Sequence, residues 1–257
     1  MKPGAPVADP GAFELDHIAL GVPRIADAVQ FVVGELGGKA YGGGPGLGFR
    51  FFQWQFAGGG KLEILEPAGP PGGFLHRFLD RRGAGVHHVT FKVPDLEAAA
   101  ERARGCGYEI VGWFAGDPSW KECFLHPKQA QGIVVQLAEE GPGAASENSG
   151  DEPRGAVSPR HADPPCPVDL LALRLSARDA AGAGRQWHDT LGGAPRELGP
   201  GEVEFRWRNS PIRVVVEIRP EACEGPIQLE LATGRPWPAA GREALGTHFV
   251  RRAPPSA

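Results

Sequence analysis

Two histidines, each followed by an acid or an amide at nearly the same distance, are the residues of this chain whose spacing most clearly suggests chemistry. His17 lies 46 positions before Glu63, and His88 lies 48 positions before Gln136. Imidazole nitrogens, carboxylates and amide oxygens all bind divalent metal ions. Because functional residues of a duplicated unit often gather about a pseudo-two-fold axis, the spacing predicts one metal site with two ligands from each copy.

The elements that must position these four residues occur in the same order in both copies. The first copy runs from LDHIALGVPRIADAVQFVVGELGG to KLEILEP, and the second runs from GVHHVTFKVPDLEAAAERARGCGYEIVG to GIVVQLAEE. Period-two alternation indicates a strand at each histidine, helical spacing follows it, and further strands end each copy. Both copies are therefore predicted to be βαβββ modules, at about 14–67 and 85–140.

Strand alternation predicts that the four candidates share a cleft. Glu63 in KLEILEP and Gln136 in GIVVQLAE are each flanked by aliphatic residues, which would pack against the helices and leave the polar residue facing the other way. His87 and His88 are adjacent, and His88 takes the position of His17 when DHIAL is laid over HHVTF. His88 is therefore the predicted ligand of the pair.

The rest of the chain predicts a linker and one further module. Residues 141–166 are rich in Gly, Pro, Ser and acids, which predicts a flexible linker after a first domain at 1–140. Residues 167–235 repeat the strand–helix–LGG opening and predict a third, degenerate βαβββ-like module, and 236–257 are expected to be an irregular tail. On this register Ala172 replaces His17, and Glu217, the match to Glu63, has no histidine beside it. The third module is expected to hold no metal.

Composition excludes several classes of partner. The 257 residues are 41% hydrophobic and 23% charged with a net charge of −4, and they contain no basic run that would suggest nucleic acid. No apolar stretch approaches the roughly 20 residues that span a bilayer, and no secretory h-region precedes the first module. The four cysteines form no CxxC pair. We therefore expect a cytoplasmic protein whose partner is a small-molecule substrate, and leave open whether its third module docks on its own chain or builds a homodimer interface.

Several strings of the first 140 residues carry a family resemblance. DHIAL, LEILEP, FLDRRGAGVHHVTFKVPDLEAA and FLHPKQAQGIVVQL stand where methylmalonyl-CoA epimerases have similar strings. Residues 14–140 thus resemble the vicinal oxygen chelate superfamily, which also includes glyoxalase I, extradiol dioxygenases and antibiotic-resistance proteins. The resemblance implies an α+β fold of paired βαβββ modules around a cleft. At its base one divalent ion would be held by His17, Glu63, His88 and Gln136, a set that suits Zn²⁺, Mn²⁺, Co²⁺ or Ni²⁺.

The resemblance also implies a reaction, from which this chain departs. In the superfamily the metal stabilises an enolate while a positioned base removes a proton next to a carbonyl. The segment GLGFRFFQWQF lacks the acid that epimerases carry there, and Gln136 is an amide where a glutamate is common. Glu63 is then the one carboxylate placed at the metal. This argues for a one-base isomerase or lyase acting on a small oxo-acid or acyl-thioester, and against two-base epimerisation.

Two other functions stay open at this point. The missing base favours a non-catalytic small-molecule binding or resistance protein of the same fold. An extradiol-type dioxygenase ranks third, because its two-His-one-carboxylate iron site would be expected in the later half of a four-unit chain. Five side chains near the ligands are expected to line the cleft: Arg50, Gln53, Trp54, Trp120 and Lys121.

Overall fold

The computed structural model describes residues 12–142 and 167–253, and its first two modules have the predicted order of elements. The first comprises β1 (Glu14–Gly21), α1 (Ile25–Val29) continuing as a π-helical segment (Gln30–Glu35), β2 (Lys39–Gly46), β3 (Phe49–Gln55) and β4 (Lys61–Pro67). Helix α2 (Phe74–Arg82) leads to the second, which comprises β5 (Gly85–Lys92), α3 (Leu96–Gly105), β6 (Ile110–Asp117), β7 (Trp120–Leu125) and β8 (Val134–Glu140).

A third module of the same order follows, and part of a fourth. The third comprises β9 (Val168–Ala177), α4 (Ala180–Ala183) continuing as a π-helical segment (Gly184–Thr190), β10 (Ala194–Gly199), β11 (Glu202–Arg206) and β12 (Arg213–Ile218). Up to residue 253, where the description ends, the fourth unit comprises β13 (Gly225–Thr233), β14 (Arg242–Ala244) and β15 (Thr247–Arg251). The α+β fold of paired βαβββ modules is thus confirmed.

The strands form two sheets whose orders match. The first is β2-β3-β4-β1-β5-β8-β7-β6 and the second is β10-β11-β12-β9-β13-β15-β14. The first strand of each of the first two modules pairs in parallel with the last, β1 with β4 and β5 with β8. β13 pairs with β15 in the same way, so the described part of the fourth unit is a module without its helix and one strand.

The expectation of an irregular tail at 236–257 is wrong for β14 and β15. These strands are short and follow a proline-rich stretch, which hid their alternation in the sequence. The ring of Phe249, on β15, is fully buried and meets that of Phe31 edge to face at 4.8 Å. Most of the predicted linker at 141–166 lies outside the described residues, and the predicted domain boundaries stay a prediction.

Contacts divide the chain into two compact units, one of which contains the second module and most of the third. Within this unit the Phe91 ring of β5 lies 4.9 Å from that of Trp207. The Trp187 indole N–H donates to Gln131 Oε1 at 2.9 Å, and both side chains are buried. Burial of such rings contributes about 2–3 kcal/mol each. The third module therefore docks on the second module of its own chain.

The other unit contains the first module and β13 to β15. Here Glu35, at the end of the first helical stretch, accepts from the Arg242 guanidinium on β14, and its backbone carbonyl accepts from Arg235. Aliphatic side chains of β1 and β4, such as Ile18 and Ile64, are fully buried. None of the described helices is long and apolar enough to span a membrane.

The glycine-rich strand β2 has no hydrophobic pattern of its own, and the sequence did not single it out. Its glycines instead make room for aromatic rings of the neighbouring β3. A Cβ on Gly43 would lie 2.5 Å from the Phe52 ring, and one on Gly46 would overlap the Phe49 ring. Covering of strand glycines by cross-strand aromatic rings is a known device for fixing strand register.

Candidate metal centre

The first module contributes a buried histidine and a buried carboxylate to the candidate site. His17 on β1 lies with its Nε2 3.6 Å from Oε2 of Glu63 on β4. Gln53 is the direct cross-strand neighbour of Glu63, and its Nε2 donates to the same Oε2 at 2.8 Å. A hydrogen bond of this kind fixes the plane of a ligand carboxylate. His17, Glu63 and Gln53 thus form the half-site of the first module.

The second module contributes a histidine, an amide and an unexpected carboxylate. His88 and Thr90 lie on β5, and Thr90 is the cross-strand neighbour of Gln136 on β8. Thr90 Oγ1 donates to Gln136 Oε1, and Gln136 Nε2 donates to Glu122 Oε2, both at 2.6 Å. Trp120 Nε1 donates to the same Glu122 oxygen at 2.8 Å. We call His88, Thr90, Gln136 and Glu122 the half-site of the second module.

Three of the four predicted ligands come together. The ligand atoms of His17, Glu63 and His88 all lie within 4.8 Å of one another, and all three residues are buried. Within residues 12–142 and 167–253 this is the one group of three or more His, Cys, Asp and Glu side chains with such spacing. Ligands bound to one ion at about 2.1 Å lie at most about 4.2 Å apart. The two imidazoles and the carboxylate therefore fit a divalent ion after a small contraction.

Gln136 stands beside this group through its position on the sheet. Side chains two residues apart share a face of a strand, so His88 and Thr90 share one, and Thr90 contacts Gln136 directly. An amide oxygen has two lone pairs, of which the Thr90 hydroxyl uses one. The second lone pair can serve a metal, and the role of Gln136 as fourth ligand stays a prediction.

Three of the five predicted cleft residues are in the first module, and two of these three lie on the face of β3 away from Glu63. Gln53 shares the face of Glu63, whereas Arg50 and Trp54 lie on the other face of β3 because strand side chains alternate. Arg50 forms an ion pair with Glu66, whose carboxylate also accepts from the first backbone N–H of α1. Trp54 is 1% exposed and belongs to the core.

Alternation separates the two cleft candidates of the second module in the same way. Trp120 shares the face of Glu122 and donates to it. Lys121 points to the other face, where its Nζ contacts Glu139 at 2.6 Å, and Glu139 also accepts from the N–H of Leu96 at the start of α3. The positive charge of Lys121 is thus paired with Glu139 on the face opposite Glu122.

His87 packs away from the ligand group. Its ring lies 5.6 Å from that of Phe74 and 4.8 Å from that of Phe78, both on α2. Burial lowers the pKa of His87 to about 4, with Arg82 acting in the same direction and Glu63 opposing it. His87 is therefore neutral at pH 7 and serves as an aromatic packing residue.

Sequence reasoning missed Glu122. In WKECFL the residues Trp120, Glu122 and Phe124 alternate with the buried Cys123, and Phe124 is the cross-strand neighbour of Gln136. Once β7 is paired with β8 in this register, the alternation assigns Glu122 to the face of the predicted ligand.

The third module fills the corresponding place with an ion triad. Glu202 on β11 is the cross-strand neighbour of Glu217 on β12, as Gln53 is of Glu63. The Arg174 guanidinium on β9 lies 2.5 Å from Glu202 and 2.8 Å from Glu217. A cationic side chain thus lies where the first module brings a histidine to a carboxylate.

Comparison with known proteins covers mainly the first two modules. Residues 16–124 match the family described as Glyoxalase/Bleomycin resistance protein/Dioxygenase superfamily. The chain is 30% identical over 137 residues to the ethylmalonyl-CoA/methylmalonyl-CoA epimerase of Cereibacter sphaeroides, covering 49% of this chain and 96% of that protein. It is 29% identical over 137 residues to the human mitochondrial methylmalonyl-CoA epimerase, covering 49% of this chain and 73% of that protein.

A solved structure extends the likeness in fold to almost the whole chain. A hypothetical protein from Staphylococcus aureus superposes with a TM-score of 0.64 at 10% identity, over 94% of this chain and 99% of that one. At this identity the likeness concerns the fold alone. The matched family, the epimerase relatives and the paired modules lead to one conclusion: the chain belongs to the glyoxalase/bleomycin resistance/dioxygenase superfamily, also called vicinal oxygen chelate.

Proposed function

We propose that the protein is a divalent-metal-dependent isomerase that moves a proton at the carbon next to the carbonyl of an acyl-CoA thioester. The observation that carries this proposal is the buried group of His17, Glu63 and His88 in a chain similar to methylmalonyl-CoA epimerases. Two imidazoles and a carboxylate are a common ligand set of catalytic metal sites that keep a position for substrate.

The ligand residues suggest the roles of the metal and of the protein. His17, His88, Glu63 and the amide oxygen of Gln136 would hold the ion, which when bound supplies Lewis acidity for the oxygen of an enolate. Glu63 is the proposed base: its carboxylate takes the proton from the carbon and returns it to the substrate. Gln53 holds Glu63 Oε2, which keeps the plane of the carboxylate constant during the transfer.

Burial is expected to strengthen this chemistry. Glu63 is 6% exposed and His88 is 6% exposed. Charge interactions are stronger at a buried site of low polarity than in bulk water. The same carboxylate at the protein surface would be a weaker and less selective base.

The test compares metal content and proton exchange in matched variants. We expect the purified protein to bind one equivalent of a divalent ion, and His17→Ala and His88→Ala each to lose it, as measured by elemental analysis and calorimetry. His126→Ala, which removes a histidine from a turn, is the control and is expected to keep the ion. Exchange of the C2 proton of methylmalonyl-CoA in deuterated water, followed by mass spectrometry, is expected to be lost in Glu63→Gln. Full metal retention in both histidine variants would contradict the proposal.

A non-catalytic binding protein of the same fold is the second candidate function. It is supported by Gln136, an amide that cannot act as a base where the resemblance implies a carboxylate. In that case calorimetry would detect binding of an acyl-CoA, whereas no proton exchange would occur with methylmalonyl-CoA or a hemithioacetal.

A further inference from the structure

Each half-site contains one Gln–Glu pair on the last two strands of its module, and the order of glutamine and glutamate along the chain is reversed between the two pairs. In the first module the glutamine lies on β3 and the glutamate on β4, and Gln53 Nε2 donates to Glu63 Oε2 at 2.8 Å. In the second module the glutamate lies on β7 and the glutamine on β8, and Gln136 Nε2 donates to Glu122 Oε2 at 2.6 Å. The carboxylate–amide contact is therefore present twice, with the carboxylate once at the ligand position and once behind it.

We propose that Glu122 is a positioning residue that orients the Gln136 amide so that its oxygen, and not its nitrogen, is available to the metal. This inference rests on the proposed function in that it assumes a metal at the site. Glu122, which is outside the ligand set, then determines the orientation of the fourth ligand.

The argument depends on what each neighbour of the amide can do. An ionised carboxylate only accepts hydrogen bonds, so the amide end that faces Glu122 must be the NH₂ group. The Thr90 hydroxyl can either donate or accept, so on its own it would accommodate either end of the amide. Glu122 is therefore the partner that selects the orientation, and Thr90 follows it by donating to Oε1.

Glu122 is itself anchored by a donor. The indole N–H of Trp120 meets the same Oε2 that accepts from Gln136, at 2.8 Å. A rigid aromatic donor on the same face of β7 fixes the carboxylate oxygen against which the amide is oriented. The charge of Glu122 also brings a second carboxylate to the site without occupying a ligand position, which favours a divalent cation electrostatically.

The first experiment measures metal binding, with Co²⁺ as the probe. Glu122→Gln keeps size and shape but presents an amide that can either donate or accept, so Gln136 can turn its nitrogen to the ion. We expect about a 10-fold or greater loss of Co²⁺ affinity, the usual effect of removing a partner that orients a ligand. The d–d absorption bands of the bound Co²⁺ should also change. Glu109→Gln, on an exposed residue of the same unit, is the matched control and should alter neither.

The second experiment exchanges the pair. The double variant E122Q/Q136E moves the carboxylate to the ligand position and the amide behind it, which reproduces the order of residue types in Gln53 and Glu63. We expect Co²⁺ affinity to return to within about threefold of the unaltered protein, because the oriented contact is restored. Thermal unfolding of each variant without metal shows whether a loss comes from the fold.

Two outcomes would overturn the inference. They are an unchanged Co²⁺ affinity and spectrum in Glu122→Gln, and a double variant as weak as the single one. Failure of the proposed function is distinguishable, since the unaltered protein would then bind no Co²⁺ or, with Co²⁺ bound, exchange no proton. Even without a metal, nuclear magnetic resonance tests the orientation: the Gln136 NH₂ signals should be shifted downfield by the contact with Glu122 and should lose that shift in Glu122→Gln.

Discussion

The first and third modules have the same order of elements but gather opposite chemistry on corresponding strands. The first module brings His17 to Glu63, which gives a site that a cation can complete. The third brings the guanidinium of Arg174 to Glu202 and Glu217, so that the cation is part of the chain. The same backbone arrangement therefore gathers two or three polar groups in both modules. The side chain on the first strand decides whether this group can bind a metal ion or only stabilises the fold.

The largest effect is expected from removing the carboxylate of the first module, and none is expected from removing the corresponding carboxylate of the third. Glu63→Gln should lower the rate of proton exchange by about 10²–10⁴-fold, the range that a general base contributes. Glu217→Gln, at the corresponding strand of the third module, should leave the rate unchanged. The rate of deuterium incorporation into an acyl-CoA measures both. Equal losses in the two variants would end the functional distinction between the modules.

Metal removal should also affect the modules unequally. Saturation at 100 times the dissociation constant stabilises a folded protein by about 2.7 kcal/mol, so a chelator should lower the midpoint of thermal unfolding. Hydrogen exchange measured with and without the ion should show the loss of protection at β1, β4 and β5. The strands β9, β11 and β12 should keep their protection, since the ion triad needs no metal. Uniform loss across both sheets would contradict this expectation.

A smaller effect is expected when the built-in cation is removed. Arg174→Met leaves Glu202 and Glu217 close together without their common partner. Breaking a fully buried pair costs 3–5 kcal/mol, and because these glutamates are partly exposed we expect about 2 kcal/mol. Urea unfolding measures this loss. Metal stoichiometry should remain one, and a reduced stoichiometry would show that the third module is coupled to the site.

The smallest effect is a dependence on pH that belongs to the third module. Burial alone would raise the pKa of Glu204, but the guanidinium groups of Arg206, Arg213 and Arg196 outweigh it and hold the pKa below its usual value. A depressed carboxyl pKa stabilises the folded state above the unfolded-state value, about 4.3, and this stabilisation is lost as the pH falls through the folded-state pKa. The thermal midpoint of Glu204→Gln should therefore fall less between pH 6 and pH 3 than that of the unaltered protein. Parallel curves would rule out this contribution.

The sequence could predict the features that repeat with a fixed period. The alternation around His17, Glu63 and His88 places each on a defined face of a strand, and the same order of elements in two copies predicts that these faces meet. Internal duplication therefore allows long-range proximity to be predicted, because residues related by the symmetry of the fold recur at a similar spacing in the sequence. The paired modules are confirmed for this reason, and the three side chains lie together in the structure.

Features that depend on cross-strand neighbours could not be predicted as well. Glu122 lies opposite Ala138, not Gln136, and the contact with Gln136 runs diagonally across two strands. Sequence spacing within one strand does not show such a diagonal. Arg50 and Lys121 point to the helix side, and the alternation that assigns them there is readable in the sequence once Gln53 and Glu122 are assigned to the site.

The docking of the third module on the second has a consequence for mass action. Because the contact of Phe91 with Trp207 and the hydrogen bond from Trp187 to Gln131 join parts of one chain, their formation does not depend on how much protein is present. Dilution would separate partners on different chains, whereas here the effective concentration is set by the intervening chain. The packing that supports β5, and with it His88, is therefore equally complete in a dilute and in a concentrated solution.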